Sequence, residues 1–234
     1  MISNCFITAL ICAMVLLVLF SSSISPSGAD ETNPGLFSPN SSPYNVPYKE
    51  WIAKWWQWNY NILNVTHPRE HYSAERCDEN QNGPVWFLPD SAEGSHERQC
   101  TIPTGKAILV PLATGIWHND GTESITDSDL PRLAKSCNNG AIFGSTSIDG
   151  QRLKDLEKYR SETGFFKLNV TRVEGNYFGA TKAGSWTAYA DGYFLFIEPL
   201  PKGQHTIVLD TNVINAVQPA CDYHTTLTYR VLIQ

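Results

Sequence analysis

The most regular hydrophobic pattern in the chain lies in residues 48–63, YKEWIAKWWQWNYNIL. At about 100° per residue, its aromatic and aliphatic side chains fall on one broad arc, opposite the charged and amide side chains. Pro47 precedes the segment at a position where a first helical turn tolerates proline. The pattern predicts an amphipathic helix of about four turns. The arc carries four tryptophans, Trp51, Trp55, Trp56 and Trp58.

One polar residue, Asn59, interrupts this arc. A buried amide must find hydrogen-bond partners, so Asn59 is expected either to satisfy the backbone of a loop or to face a pocket. We interpret the tryptophans as structural, with the helix laid across a sheet to complete a core. The alternative is a platform of exposed rings on which a sugar stacks.

After the helix, the chain has the short hydrophobic runs and turn residues that are typical of strands. Runs bounded by Gly and Pro occupy residues 83–88 and 105–112, and the Asp149–Gly150 pair is a hairpin-turn signal. Residues 185–210 contain a strand that is apolar on both faces, and residues 224–234 alternate between apolar and polar. These features predict a mainly β fold, a single-domain β-sandwich or jelly roll with one N-terminal amphipathic helix packed on it.

An unbroken apolar run at residues 5–20 opens the chain. The run is shorter than the roughly 20 residues that span a bilayer, and Ser27 and Ala29 supply the small residues of a cleavage site. We therefore predict a signal peptide over residues 1–29 and a secreted or cell-surface protein. The alternative is a retained anchor, in which case an uncleaved N-terminal segment is the only part that contacts a membrane.

The remaining chain is acidic and long enough for one domain. Residues 30–46 are rich in Pro, Ser and Asn and predict a flexible leader, and residues 47–234 are assigned to one helix-plus-sandwich domain. The net charge is −6, and the sequence has no cluster of Lys and Arg. A protein that neutralises phosphates needs such a cluster, so nucleic acid is excluded as the main partner.

Four cysteines lie beyond the predicted signal peptide, and an even number in an exported chain favours two disulfides. Of the three possible pairings we favour Cys77–Cys100 with Cys137–Cys221, because the first pair brackets a hairpin-sized segment. The cysteines lack the CxxC spacing of a zinc site. Sequons for N-glycosylation, which are compatible with export, stand at Asn40, Asn64 and Asn169.

Several segments together resemble a family of uncharacterised exported proteins of archaea and some bacteria. They are KEWIAKWWQW, NQNGPVWFLPD, RQCTIPTGKAILVPL, YADGYFLFIEPLPKGQHTIVLD and LTYRVLI, and they run in order over residues 45–234. The resemblance implies export and one domain that includes the helix. It implies no activity, cofactor or substrate. The chain departs from the family at Asn59 and Tyr60, where its members are usually more apolar.

The densest polar cluster is GIWHNDGTES, residues 115–124, which we interpret as a polar loop after a strand. His118, Asp120 and Glu123 there form an H-x-D-x-x-E pattern that faintly resembles the first metal-binding motif of cupins, with His205 of PKGQH as a weak second. Asp120 stands where cupins have His, and the Gly-to-His spacing in PKGQH is wrong, so no metal is expected. The motifs G-x-S-x-G, Walker loop and H-E-x-x-H are absent from the sequence.

We therefore predict a non-enzymatic extracellular module that binds a glycan or a surface protein and needs no cofactor. The candidate ligand residues are His118, Asp120, Glu123 and Asn59. One alternative is a secreted hydrolase or cupin-like metal enzyme that uses the His118 region, and a second is a structural envelope component. A deep pocket with convergent His and carboxylate groups would favour the enzyme, and exposed aromatic side chains would favour binding.

Overall fold

The computed structural model describes residue 30 and residues 32–62, 77–90, 92–121, 124–215 and 221–234. The predicted signal peptide, Asn64 and Glu123 lie outside these residues. The helices are α1 (Tyr48–Tyr60) and α2 (Leu130–Ser136). The strands are β1 (Val85–Phe87), β2 (Gly94–Ile102), β3 (Ala107–Asn119), β4 (Ala141–Phe143), β5 (Ser147–Ile148), β6 (Gln151–Arg152), β7 (Arg160–Val170), β8 (Gly184–Ile197), β9 (Gly203–Val213) and β10 (Tyr223–Ile233).

The strands form two sheets that pack face to face. The first sheet has the order β1-β3-β8-β7, and the second has the order β2-β10-β9-β5-β6, with β4 also paired to β9. The chain crosses from the first sheet to the second between β8 and β9, through the PLPKG segment at residues 199–203. The mainly β sandwich with one N-terminal helix, predicted from the strand pattern, is confirmed.

Strand β8 is covered on both faces, as its two-sided apolar sequence predicts. Tyr193, Leu195 and Ile197 belong to the core between the two sheets. Phe194 and Phe196 point the other way and pack in a second core with α1. Because successive side chains of a strand alternate between its faces, this one strand joins both cores. The molecule is therefore built of three layers, α1, the first sheet and the second sheet.

Helix α1 lies on the outer face of the first sheet with its tryptophans against that sheet. Trp55 is 0% exposed, Trp51 is 7% exposed and Trp58 is 8% exposed, so the prediction that these three are buried is confirmed. Each donates its indole N–H to a backbone carbonyl outside the helix, at 2.8–2.9 Å. The acceptors are Pro43, Leu88 and Glu79. The tryptophans therefore build the core and also fix the neighbouring loops.

The outer strands of the first sheet are each capped by a glutamine side chain. Gln57 Nε2 donates to the carbonyl of Asn169 in β7 at 2.7 Å, and Gln57 Oε1 accepts from the backbone N–H of the same residue at 2.8 Å. Gln81 makes the same two bonds to Phe87 in β1, at 2.7 and 3.0 Å. Each amide thus satisfies edge groups that would otherwise be open to another strand.

The leader predicted to be flexible over residues 30–46 is instead packed on the sandwich. Leu36 is fully buried and forms an isolated bridge with β8. Burial alone would raise the pKa of Asp30, but hydrogen bonds from Lys158, Tyr159 and two backbone N–H groups lower it to about 2. Composition pointed to flexibility because the segment has few apolar residues. It is nevertheless attached by Leu36 and Asp30, by the buried amide of Asn33 and by the ring of Phe37, which lies 5.0 Å from the ring of Phe196.

Both disulfides have the pairing that the sequence favoured. Cys77 is bonded to Cys100 with the Cα atoms 5.4 Å apart, and Cys137 is bonded to Cys221 with the Cα atoms 5.2 Å apart. Disulfides are compatible with an extracellular protein. Within the part of the chain that the structure describes, no helix has the length and apolar character needed to cross a bilayer.

Candidate functional site

The segment interpreted as a polar loop, residues 115–124, belongs in its first half to strand β3. Gly115–Asn119 pairs residue by residue with Asp191–Thr187 of β8. The even-numbered side chains of this half, Ile116 and His118, face the α1 side of the sheet. The sequence did not reveal that these residues form a strand, because one face of this end of β3 is covered by α1 and its neighbours rather than by a second sheet.

His118 joins the end of α1 to the first sheet. Its Nε2 atom lies 2.7 Å from the hydroxyl of Tyr60, and its ring lies 4.6 Å from the ring of Trp186 between centroids. Burial, followed by the charge of Asp120, raises the pKa of Tyr60 to about 12. Asn59, the neighbour of Tyr60 in α1, is buried. Three candidate residues therefore lie around one helix end, in an environment that is largely aromatic.

The two histidines of the faint cupin-like pattern belong to different sheets. His205 lies in β9, where its ring nitrogens contact the Asp149 carboxylate at 2.7 Å and the carbonyl of Pro201 at 2.8 Å. His118 lies in β3 and faces α1. Over the residues that the structure describes, no three His, Cys, Asp or Glu side chains are grouped closely enough to hold a metal ion.

A groove between α1 and the loop before β1 is the strongest candidate for a ligand site. It has a volume of about 510 Å³, within the range of small-molecule sites. We call it the helix groove. It is lined by Trp51, Lys54, Gln57, Trp58, Asn61, Asn80, Asn82, Gly83, Pro84 and Phe87. Its composition combines aromatic edges with carboxamides, and Lys54 is the one ionisable side chain among its described lining residues.

The helix wall of the groove is rigid. Trp51 and Trp58 are fixed by their indole hydrogen bonds, and the Trp58 ring packs on Phe87 at 5.6 Å between centroids. The carboxamide of Gln57 is held by β7, and that of Asn61 donates to the same carbonyl of Asn169 at 3.0 Å. These groups form a preorganised surface, because their conformations are set by the fold before any ligand arrives.

The loop wall carries polar groups that the fold does not use. Asn80 and Asn82 are exposed, and neither carboxamide is hydrogen-bonded to any residue that the structure describes. Asn80 has φ of 52°, in the left-handed region that asparagine tolerates better than most residues, so this residue type also suits the turn. Lys54 lies at the helix side with its Nζ 5.7 Å from the centre of the Trp51 ring. Two amides and one ammonium are therefore available to a ligand.

The candidate residues of the sequence and those of the helix groove overlap only in part. The tryptophan segment supplies Trp51 and Trp58 to the groove. His118 and Asp120 lie around Tyr60, at the C-terminal end of α1, and are not in the groove lining. Asn80 and Asn82 were missed as site residues. The available signal was the NQNGP segment, in which closely spaced asparagines precede a strand, but it is equally typical of a turn.

Two of the three sequons can be located on the surface. Asn40 is exposed in the packed leader, and Asn169 is exposed in the edge strand β7. The exposure of these two asparagines leaves both reachable by a modifying enzyme. Asn64 lies outside the described residues.

Comparison with known proteins gives no family for this chain. No protein-family model matches it, and no curated protein matches it. Among solved structures it is similar to Amebosin, at 15% identity and a TM-score of 0.23, over 65% of this chain and all of that one. PbICP-C, solved in complex with falcipain-2, matches at 11% identity and a TM-score of 0.24 over the same shares.

A third similar structure is the cysteine protease inhibitor EhICP2 from Entamoeba histolytica. It matches at 13% identity and a TM-score of 0.22, over 64% of this chain and 96% of that one. Likeness at this level supports no inference about what the present chain binds. Its function has to be argued from its own groove and cavities.

Proposed function

We propose that the protein is an exported, non-enzymatic module that binds a carbohydrate in the helix groove. The observation that carries this proposal is the pairing of an aromatic wall with free carboxamides in one groove. Sugar rings present apolar C–H faces and many hydroxyl groups. Trp51 and Trp58, which are 7% and 8% exposed, give the groove a narrow apolar strip against which a C–H face can pack. The carboxamides of Asn80 and Asn82 can both donate to and accept from hydroxyls.

Several features support binding rather than catalysis at this groove. General acid–base catalysis of glycoside hydrolysis needs two carboxyl groups that flank the bond, and among the residues that the structure describes the groove lining contains no Asp, Glu or His. A volume of about 510 Å³ fits a short oligosaccharide better than the large, flat footprint of a protein partner. Lys54 favours a sugar that carries a carboxylate or sulfate.

A location outside the cell agrees with the rest of the chain. The two disulfides suit an oxidising compartment. The apolar run at residues 5–20 with small residues near Ala29 is expected to act as the signal peptide, and exposed Asn40 and Asn169 are proposed glycosylation sites. In this setting the ligand is a surface or matrix glycan.

The test is a glycan-array screen of the purified protein, followed by titration of the best oligosaccharide with tryptophan fluorescence and calorimetry. The double variant Asn80→Ala/Asn82→Ala removes only exposed side chains. We expect it to unfold like the parent and to bind about tenfold more weakly, because two modest hydrogen bonds are lost. Lys54→Met is expected to weaken only the binding of anionic sugars.

The matched control is Gln151→Ala, which removes an exposed carboxamide from β6, away from the groove. It should leave the affinity unchanged. The proposal fails if no glycan binds the parent, or if the double variant and the control bind the selected oligosaccharide equally well.

A further inference from the structure

A second cavity lies between the two sheets, on the opposite side of the first sheet from the helix groove. It has a volume of about 370 Å³ and opens beside the disulfide between Cys137 and Cys221. We call it the inter-sheet cavity. Strand β3 forms one wall, and strands β9 and β10 form the other. It shares no lining residue with the helix groove, so it has to be considered as an independent site.

Two threonines face this cavity from neighbouring strands. Thr211 of β9 and Thr225 of β10 are directly paired across the sheet. Each lies two residues from a core leucine, Leu209 or Leu227, so the alternation of side chains turns both threonines towards the first sheet. Thr211 is 0% exposed and Thr225 is 6% exposed.

The hydroxyls of these threonines are buried polar groups that the fold leaves unused. Neither Oγ1 atom has a hydrogen-bond partner among the residues that the structure describes. A buried hydroxyl without a partner costs free energy, and valine would fill the same space without that cost. Two such hydroxyls, side by side in the wall of one cavity, indicate a polar group that enters the cavity and bonds to both.

The mouth of the cavity is acidic. Asp90, Glu93 and Asp222 are in its lining, which includes no Lys, Arg or His among the residues that the structure describes. The rest of the lining is largely apolar and includes Leu112 and Ala113. Because the whole chain also carries a net charge of −6, a cation is attracted to this opening and an anion is repelled.

We propose that the inter-sheet cavity binds a small organic cation with a second polar group at the far end of a short apolar stem. Its ammonium group sits at the mouth, near Glu93 and Asp222. Its methylene stem lies along the apolar walls, and its terminal hydroxyl or amine bonds to Thr211 and Thr225. Amino alcohols and diamines have this chemistry, and the pairing of one acidic end with one hydroxyl end makes the site directional.

The test compares three ligands of similar length by calorimetry on the folded full chain. 4-Amino-1-butanol carries both groups, 1,4-butanediol lacks the charge, and pentylamine lacks the second polar group. We expect 4-amino-1-butanol to bind saturably and each of the other two to bind about tenfold more weakly, since each loses one set of hydrogen bonds. Raising the salt concentration should weaken both amines and spare the diol.

The variants Thr211→Val and Thr225→Val keep the shape of the side chain and remove the hydroxyl. They are expected to weaken the binding of 4-amino-1-butanol by about tenfold and to leave pentylamine unaffected. Their thermal unfolding is measured first, to establish that they are folded. The proposal is overturned if 4-amino-1-butanol shows no saturable binding, if the three ligands bind alike, or if the valine variants bind 4-amino-1-butanol as the parent does.

Discussion

At the scale of single residues, His205 is held by acceptors at both ring nitrogens. The Asp149 carboxylate contacts Nδ1 at 2.7 Å, and the carbonyl of Pro201 contacts Nε2 at 2.8 Å. Only the protonated imidazole can donate to both at once. Burial by itself would lower the pKa of His205, but these two hydrogen bonds raise it above its ordinary value.

This raised pKa predicts a pH dependence of stability. A group whose folded pKa exceeds its unfolded value of 6.5 stabilises the fold fully below that pH and loses the contribution as pH rises through the folded pKa. We expect Asp149→Asn, which keeps an acceptor for the N–H of Thr206, to lower the free energy of unfolding by up to about 1 kcal/mol at pH near 5.5 and by less at pH near 9.

Urea unfolding of parent and variant at the two pH values measures the difference. The control is the same Asp149→Asn change made in a His205→Gln background, where no imidazole titrates at this position, so its cost should be the same at both pH values. An identical loss at both pH values would contradict a protonated His205.

At the scale of elements, α1 is expected to contribute more through its tryptophans than through its helical propensity. Trp55 is fully buried, lies 5.5 Å from the ring of Phe194 between centroids, and bonds to the carbonyl of Leu88 at 2.8 Å. Trp55→Ala should lower the free energy of unfolding by about 3–5 kcal/mol, because it leaves a cavity and removes the hydrogen-bond donor to the buried carbonyl of Leu88. Chemical denaturation followed by circular dichroism measures this.

The matched control on the same helix is Lys49→Ala, which changes an exposed residue. It is expected to change the free energy of unfolding by less than about 0.5 kcal/mol. If Trp55→Ala unfolds like the parent but loses a bound glycan, the packing role of Trp55 is refuted and the helix is a binding platform in its own right.

The elements that the sequence predicted are those in which one hydrophobic periodicity, that of a helix or that of a strand, dominates. Helix α1 and strands β8 and β10 have clear apolar patterns, and the structure has all three. Strand β2 was missed because its inward positions include Arg98, a buried cation that donates to the Tyr229 hydroxyl at 3.0 Å and so breaks the apolar alternation. Burial of a paired charge depends on a partner 131 residues away, which no local pattern reveals.

The candidate sites were harder to predict for a similar reason. The helix groove combines α1 with Asn80 and Asn82, and the inter-sheet cavity combines β3 with β9 and β10, which are far from β3 in sequence. In a strand, Thr211 and Thr225 are typical residues for either face, so their burial follows only from the pairing of β9 with β10 and the position of the first sheet. The residue types are present in the sequence, but which of them come together depends on the tertiary fold.

At the scale of the whole molecule, the first sheet separates the two proposed sites. One of its faces packs on α1, next to the helix groove, and its other face forms a wall of the inter-sheet cavity through β3. Both sites lie on packed elements, which suits binding that needs a preorganised surface. A ligand in one site is expected to stabilise the fold by mass action without remodelling the other.

The two disulfides should differ in their effect on the stability of the whole molecule. The Cys137–Cys221 bond links residues 84 positions apart, whereas the Cys77–Cys100 bond links residues 23 positions apart. Because a cross-link restricts the unfolded chain more as the closed loop lengthens, we expect losses of about 4–5 and about 3 kcal/mol, respectively, when each pair is replaced by alanine.

Denaturant unfolding of the two double variants, each compared with the parent under oxidising conditions, measures the difference. The disulfide variant of the other pair is the control for each. In the mature parent, from which Cys5 and Cys12 are expected to be removed with the signal peptide, mass-shift labelling with a thiol reagent after denaturation should detect no free cysteine. A greater loss from the shorter loop would show that native-state contacts, rather than the restricted unfolded chain, set the contribution of these bonds.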